Sequence, residues 1–182
     1  YMPHRPQGQY QTYMFETPTT VAWKNLYDEG KLNDDQRRFW EPKAPEELYD
    51  LTSDPYQLNN LVDSSAHQDA LGNLRRIHRA WEIAARDLSL LPESDMLAMG
   101  ADHSPFEAGQ DPNTYPINAV WAMADKAARF DAEAIPALVQ GLSDANSAVR
   151  YWAATGLIVR GADAVDAGRA ALQRAMTEDP SH

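Results

Sequence analysis

Apolar side chains recur every three or four residues between residues 66 and 90, which is the spacing of one face of an α-helix. This pattern predicts a long amphipathic helix that Pro92 ends. Trp81 lies in the apolar stripe and is expected to be buried, and His78 is expected to be partly buried. The stripe consists of Leu71, Leu74, Ile77, His78, Trp81, Ala85 and Leu88.

Shorter elements are expected before this helix. Residues 1–15 are rich in Pro, Gln and Tyr and predict an extended or looping segment. Two short helices are predicted next, one beginning at Thr17-Pro18 and one with Asn33 as its N-cap. Residues 46–51 are a candidate short strand, followed by a turn at residues 52–55. The inner face of the first short helix is predicted to hold Val21, Trp23, Leu26 and Tyr27.

The pattern changes after residue 92. Pro and Gly concentrate in residues 92–116, which predicts a connector with one helical turn near residues 95–99. The Ala-rich segment that follows predicts helices at 117–130, 133–142, 148–159 and 164–176. We therefore expect a mainly α fold with a small β element, divided into residues 1–92, a connector at 93–116 and a helical region at 117–182.

Charge and composition remove several classes of function. The formal net charge is −11 and Lys and Arg form no long run, so binding to nucleic acid is not expected. No apolar stretch is long enough to predict a membrane span. The chain contains no Cys, which excludes disulfides, thiolate metal sites and a Cys nucleophile. The His residues are isolated, and their spacing predicts no zinc site.

Residues 45–61 read Pro-Glu-Glu-Leu-Tyr-Asp-Leu-Thr-Ser-Asp-Pro-Tyr-Gln-Leu-Asn-Asn-Leu. This run resembles the C-terminal signature of type I sulfatases, in which a strand and a turn precede a long C-terminal helix. Gln57 stands where that family usually has Glu. Residues 1–6, Tyr-Met-Pro-His-Arg-Pro, are similar to a segment of the bacterial heparan N-sulfatase-like subgroup. The resemblance covers about residues 1–92 and implies a sulfatase C-terminal subdomain.

The resemblance implies a hydrolase of sulfate esters or sulfamates. Such enzymes use a formylglycine made in a C/S-x-P-x-R motif and a Ca²⁺ ion held by Asp and Asn side chains. This chain has no such motif, so no catalytic residue and no metal ligand are assigned to it. Formylglycine and calcium are expected in a longer parent protein. The sequence opens without a start Met, and both of its ends are interpreted as cuts.

His4 and Arg5 are the candidate substrate-binding residues that the resemblance leaves. A guanidinium group matches the paired oxygens of a sulfate or a carboxylate, which makes Arg5 the stronger candidate. The implied partner is the sulfatase catalytic domain, and residues 1–92 would complete its substrate pocket. The implied substrate is a sulfated glycan. The implied setting is an exported bacterial enzyme, either periplasmic or secreted.

A second resemblance lies in the helical region. A group of residues there stands at the spacing of a HEAT repeat, a unit of two helices, and Asp179 follows Asp144 by about one repeat period. The resemblance implies that Asp144 and Arg150 support the turn between the two helices. The alternative function is therefore a helical-repeat scaffold that binds a protein partner. The matching residues are Pro136, Asp144, Val149, Arg150 and Ala153.

Several polar and aromatic residues allow two interpretations. Arg37 and Arg38 could line an anion groove, but a solvated helix face is the favoured interpretation. Asp50 and Asp54 could bind Ca²⁺, but capping of a turn is favoured. The side chains of Trp23, Trp40 and Trp81 could stack on sugar rings, although tryptophans at such positions more often form a core.

Overall fold

A computed structural model describes residues 5–100 and 103–179 of the chain, and helices dominate its secondary structure. The chain forms two compact units, residues 2–71 and residues 72–182. No helix of the described residues is both long and apolar enough to cross a membrane. The α-helices are α1 (Pro18–Asp28), α2 (Asp34–Arg37), α3 (Gln68–Ala85), α4 (Glu93–Met99), α5 (Pro105–Gly109), α6 (Ile117–Ala128), α7 (Ile135–Gly141), α8 (Ser147–Val159) and α9 (Ala162–Glu178).

Short 3-10 helices extend or separate these elements. The packing boundary at residue 71 lies inside α3, whereas the sequence predicted a connector at residues 93–116. That segment holds α4 and α5, and its Tyr115 is fully buried. The domain limits predicted at residues 92 and 116 were drawn from the resemblance to other proteins. The packing boundary does not test them, and they stay a prediction. The 3-10 helices span Thr12–Glu16, Arg38–Trp40, Ser65–His67, Leu88–Leu90 and Ala132–Ala134.

Aromatic side chains form the centre of the first unit. Trp40 is buried, and its ring lies 5.4 Å from Trp23 and 5.0 Å from Phe39 in edge-on geometry. The Trp23 indole also stacks on Phe39 at 4.7 Å and donates its N–H to the carbonyl of Gln36 at 2.9 Å. The core interpretation is therefore confirmed for Trp40, and the half-buried Trp23 packs against it. Such aromatic pairs add to the stabilisation that area burial alone gives.

The N-terminal segment closes over this cluster at Gly8. Its backbone N–H donates to the carbonyl of Phe39 at 2.7 Å, and Pro6 forms an isolated bridge with Pro42. A Cβ atom on residue 8 would lie 2.6 Å from the Trp40 ring, so only glycine fits at this position.

Both short helices of the first unit begin where the sequence predicts. The Asn33 side chain accepts the N–H of Gln36 at 2.9 Å, and the Gln36 side chain accepts the N–H of Asn33 at 3.1 Å. This reciprocal pair is a capping box. The predicted inner face of α1 is only partly confirmed, because Val21 and Leu26 are exposed while Trp23 and Tyr27 contact Trp40.

The predicted strand at residues 46–51 is not formed, and the described residues contain no strand longer than the bridge at Pro6. Only one backbone bond links this segment to residues 59–62, from the N–H of Leu61 to the carbonyl of Leu48 at 2.8 Å. The Asn60 side chain supplies the other links, since it accepts from Leu48 at 2.9 Å and donates to Glu46 at 3.2 Å. A β-ladder requires a repeating series of backbone bonds, which a side chain replaces here.

Helix α3 ends earlier than the apolar pattern predicts. Arg86 has a φ of 50°, in the left-handed region that stops a helix. Its guanidinium donates to the carbonyls of Asp111 at 3.2 Å, of Gly109 and of Tyr115. These bonds hold the residue in a conformation that a non-glycine residue rarely adopts.

The burial predicted for the α3 stripe is wrong at Trp81 and His78. The side chain of Trp81 is 61% exposed, and that of His78 is 60% exposed and pairs with Glu82 at 3.1 Å. Leu74 and Ile77 are also exposed. The contact between α3 and α6 uses a different face, on which the buried Glu82 carboxylate accepts the indole N–H of Trp121 at 2.7 Å.

The second unit has its core between α6, α7, α8 and α9, close to the predicted helices. Leu138 and Leu157 are fully buried at its centre, with Ala153 and Ala164 against them. Small residues let the helices approach closely. A Cβ atom on Gly156 would lie 2.6 Å from Leu138 and 3.1 Å from the Cα of Ala127.

Candidate functional site

The first unit contains a polar cleft of about 490 Å³ beside the turn at residues 48–61. One wall comes from the end of the α2 region, where Arg38, Glu41 and Lys43 line the cleft. The opposite wall carries two phenol rings and the residues that hold the turn together. The full lining is Gln7, Arg38, Glu41, Pro42, Lys43, Ala44, Glu47, Tyr49, Tyr56, Gln57 and Asn60.

A network around Asp54 fixes the shape of the turn. The two carboxylate oxygens of Asp54 accept the backbone N–H groups of Leu58 at 3.0 Å and of Asn59 at 2.8 Å. These two bonds, Asn59 first, lower the pKa of Asp54 below its ordinary value. Gln57 has a φ of 57°, so the turn holds a side-chain-bearing residue in the left-handed region. The bonds of Asp54 thus constrain the turn beside Gln57, whose backbone lies in the left-handed region.

Asp50 has a similar local role. Its carboxylate accepts the hydroxyl of Ser53 at 2.9 Å and the N–H of Thr52 at 3.0 Å. The Ser53 bond is the main cause of its lowered pKa. Asp50 and Asp54 therefore use their oxygens on the turn, as the favoured interpretation holds. The described residues contain no group of three or more His, Asp or Glu side chains arranged to hold a metal ion.

This donor set does not fit the Ca²⁺ and formylglycine site that the sulfatase resemblance implies for the parent protein. Ca²⁺ takes six to eight oxygen ligands, whereas each of these carboxylates is engaged by backbone or hydroxyl donors.

Arg38 and Lys43 bring positive charge to the cleft. The guanidinium of Arg38 lies 3.1 Å from Asp35 and donates to the carbonyl of Gln57 at 3.5 Å, so it spans from the α2 region to the turn. Burial is the main cause that raises the pKa of Tyr49, with the nearby Glu47 carboxylate second. The Tyr49 side chain also hydrogen-bonds the Glu47 carboxylate, which is another cause of its raised pKa. The carboxylates of Glu41 and Glu47 also line the cleft, so its charged groups are mixed in sign.

The predicted site residues divide into three cases. His4 lies outside the described residues. Arg5 is exposed and directly precedes Pro6, whose backbone bridges Pro42 on the cleft wall, but Arg5 is not itself part of the lining. Arg37 lies on the solvated face and pairs with Glu41 at 2.6 Å. The role of His4 and Arg5 in binding substrate stays a prediction.

Sequence reasoning did not find Lys43, Tyr49, Tyr56 or Asn60 as cleft residues. Tyr49, Tyr56 and Asn60 stand within the run at residues 45–61, which was the one signal that marked them. Lys43 precedes the run and carries no local pattern that points to a site. The fold brings Lys43 to the same cleft as the residues of the turn.

The chain contains a region related to the sulfatases. The relative is described as an ulvan-active sulfatase of Formosa agariphila, and the two sequences are 39% identical over 98 residues. The matched region is 52% of this chain, and the chain spans only 16% of the length of that relative. No family model matches the chain. No solved structure matches it either.

Proposed function

We propose that this chain corresponds to the C-terminal, non-catalytic region of a sulfatase that hydrolyses sulfuric esters or sulfamates. The observation that carries the proposal is the 39% identity to an ulvan-active sulfatase. In this proposal the first unit supports the fold and forms part of the substrate pocket. The catalytic domain is its partner and supplies the formylglycine and the calcium ion.

The cleft of the first unit supports a role in substrate contact. Arg38 and Lys43 line the cleft and can pair with an anionic group of a sugar. Arg5, together with His4, is proposed to extend this contact beyond the cleft, because a guanidinium fork can bind two sulfate oxygens at once. A sulfated glycan is the proposed substrate. The proposed setting is a bacterial enzyme that is periplasmic or secreted.

The test uses the complete polypeptide that contains this chain, purified after expression in a host that makes formylglycine. Hydrolysis of sulfated oligosaccharides from ulvan is followed by release of free sulfate. Replacement Arg5→Ala or Arg38→Ala is expected to lower kcat/KM about tenfold, which corresponds to the loss of one charge-assisted hydrogen bond of about 1.4 kcal/mol.

The matched control is Arg174→Ala, which removes the same exposed charge from helix α9 in the other unit. An equal loss in the control would show a general effect of charge. A kcat/KM that is unchanged in both Arg5→Ala and Arg38→Ala would exclude the first unit from the substrate pocket. The 182-residue chain alone is expected to release no sulfate from an aryl sulfate, with or without Ca²⁺.

We also propose that residues 117–179 form HEAT-type repeats, with a protein-binding scaffold as the alternative function. The support is the position of Arg150, which donates to the carbonyls of Asp144 at 2.9 Å and Ala145 at 3.1 Å at the turn between α7 and α8. Its guanidinium also pairs with Asp179, about one repeat period after Asp144, at 2.6 Å. Affinity capture with the wild-type chain and with Arg150→Ala would test whether a partner depends on this arrangement. Retention of the same partners by both proteins would contradict it.

A further inference from the structure

A second groove lies within the second unit, between α3 and α6. It has a volume of about 520 Å³, and guanidinium groups from both helices line it. Arg75, Arg76 and Arg79 stand at helical spacings of one, three and four residues, which places them on neighbouring rows of α3. Arg129 lies two turns of helix beyond Trp121 and reaches the groove from the end of α6.

The local charge of this groove is opposite to that of the chain. The whole sequence has a formal net charge of −11, yet these arginines share the groove with a single lining carboxylate, that of Asp125. Asp125 is bound to Arg129 through two contacts of 3.1 Å and so orients that guanidinium. Glu82 lies nearby, but it is buried and accepts the Trp121 indole N–H. The groove therefore has an excess of positive charge.

Trp121 gives the groove an apolar, planar surface with a fixed orientation. The bond from its Nε1 to Glu82, 2.7 Å long, sets the plane of the ring. The guanidinium of Arg79 lies over the ring, 4.5 Å from its centroid. Arg79 is therefore held against the indole face by this contact, and its guanidinium lines the groove, where an anionic substituent of a ligand can pair with it.

We propose that this groove binds an acidic saccharide through its sulfate or carboxylate groups. The proposal rests on the proposed function for its ligand class, since the substrate is there a sulfated glycan. A nucleic acid is the less suitable polyanion, because the acidic surface outside the groove would repel an extended duplex or strand.

The experiment is a calorimetric titration of the 182-residue chain with a heparin-derived hexasaccharide at low and at physiological salt. The variants are Arg76→Gln and Arg79→Gln, and the control is Arg174→Gln, which makes the same change on exposed α9. Arg76 is exposed and bonds only locally to Asn73 at 2.6 Å, so its replacement should leave the fold intact. Circular dichroism and the melting temperature check this for each variant.

We expect each groove variant to weaken binding about fivefold, the control to bind as the wild type does, and the fully desulfated hexasaccharide to bind much more weakly. Affinity should fall as salt rises, with a smaller salt dependence in the variants. The proposal is overturned if the hexasaccharide does not bind, if Arg174→Gln loses as much affinity as Arg76→Gln, or if a single-stranded oligonucleotide binds more tightly. The titration measures binding and not hydrolysis, so a hexasaccharide that does not bind leaves the sulfatase proposal standing. Inactivity of the complete polypeptide would in turn leave the proposed saccharide groove standing.

Discussion

Two glycines in helices of the second unit offer a direct test of the packing at α8. Gly156 lies inside α8, where an added Cβ would come within 2.6 Å of Leu138 and 3.1 Å of the backbone of Ala127. Gly72 lies inside α3, and an added Cβ there would have no atom within 4 Å. The same replacement by Ala therefore meets a tight contact in one helix and open space in the other.

The expected magnitudes follow from these distances. Gly→Ala in a helix interior gains about 1 kcal/mol from helix propensity, so Gly72→Ala should stabilise the chain by about 0.5–1 kcal/mol. At Gly156 the same gain is opposed by overpacking, which costs about 1–3 kcal/mol. Leu138 is fully buried and the Ala127 contact is backbone, so neither can move aside easily. Gly156→Ala is therefore expected to destabilise the chain by up to about 2 kcal/mol, the overpacking cost less the propensity gain.

Urea unfolding followed by far-UV circular dichroism measures both variants against the wild type. A difference of about 2 kcal/mol between them corresponds to about 4–8 °C in melting temperature for a chain of this size. The slope of the unfolding free energy against urea should be equal in all three proteins, which shows that one transition is compared. If Gly156→Ala is as stable as Gly72→Ala, the close contact of α8 with α7 and α6 is refuted.

Three further changes test polar contacts. Arg160 donates to the carbonyls of Lys126 at 2.7 Å, Gly156 at 2.8 Å and Asp131 at 3.0 Å. Arg160→Met removes these bonds and should destabilise the chain by about 2–4 kcal/mol in the same urea assay. Unchanged stability would contradict that role. Tyr115→Phe should cost about 1 kcal/mol through the loss of its 2.6 Å bond to the carbonyl of Asp87, and a melting temperature equal to wild type would contradict this. The pKa of Asp54 is lowered in the folded state, so the stability that its carboxylate gives is complete above the ordinary pKa of 3.8 and is lost as the pH falls below that value. Asp54→Asn should therefore flatten the decline in melting temperature between pH 5 and pH 3. A decline parallel to that of the wild type would contradict the assignment.

Local signals predicted the helices well. Asn33 followed by Gln36 gives a complete N-cap signature in the sequence, and the capping box is present. The helices of the second unit fall within a few residues of their predicted limits because alternation of apolar and polar residues at helical spacing is a local property. The same type of signal failed for the face of α3, since periodicity identifies an apolar stripe but not what packs on it. Trp81 has the helical spacing of the apolar stripe, yet its side chain is exposed.

The sites depend on contacts that periodicity does not encode. The cleft of the first unit joins residues from 7 to 60, and the groove of the second joins α3 to α6 across a segment rich in Pro and Gly. Arg75, Arg76 and Arg79 read in sequence as the solvated side of an amphipathic helix. The contacts of Glu82 and Arg79 with Trp121 show that this side faces another helix and becomes the wall of a groove.

Hydrogen bonds tie the segment after residue 92 to the residues before and after it. Arg86 binds carbonyls at residues 109–115, and the hydroxyl of Tyr115 returns a bond to Asp87. Farther on, the indole of Trp152 donates to the carbonyl of Leu90 at 2.7 Å, and Ser147 donates to Asp95 at 2.7 Å. These donors bond to backbone or carboxylate oxygens within the Pro- and Gly-rich stretch or beside it, which satisfies acceptors that are partly removed from water. Composition marks where the chain turns often, whereas the position of these donors decides which residues fold together.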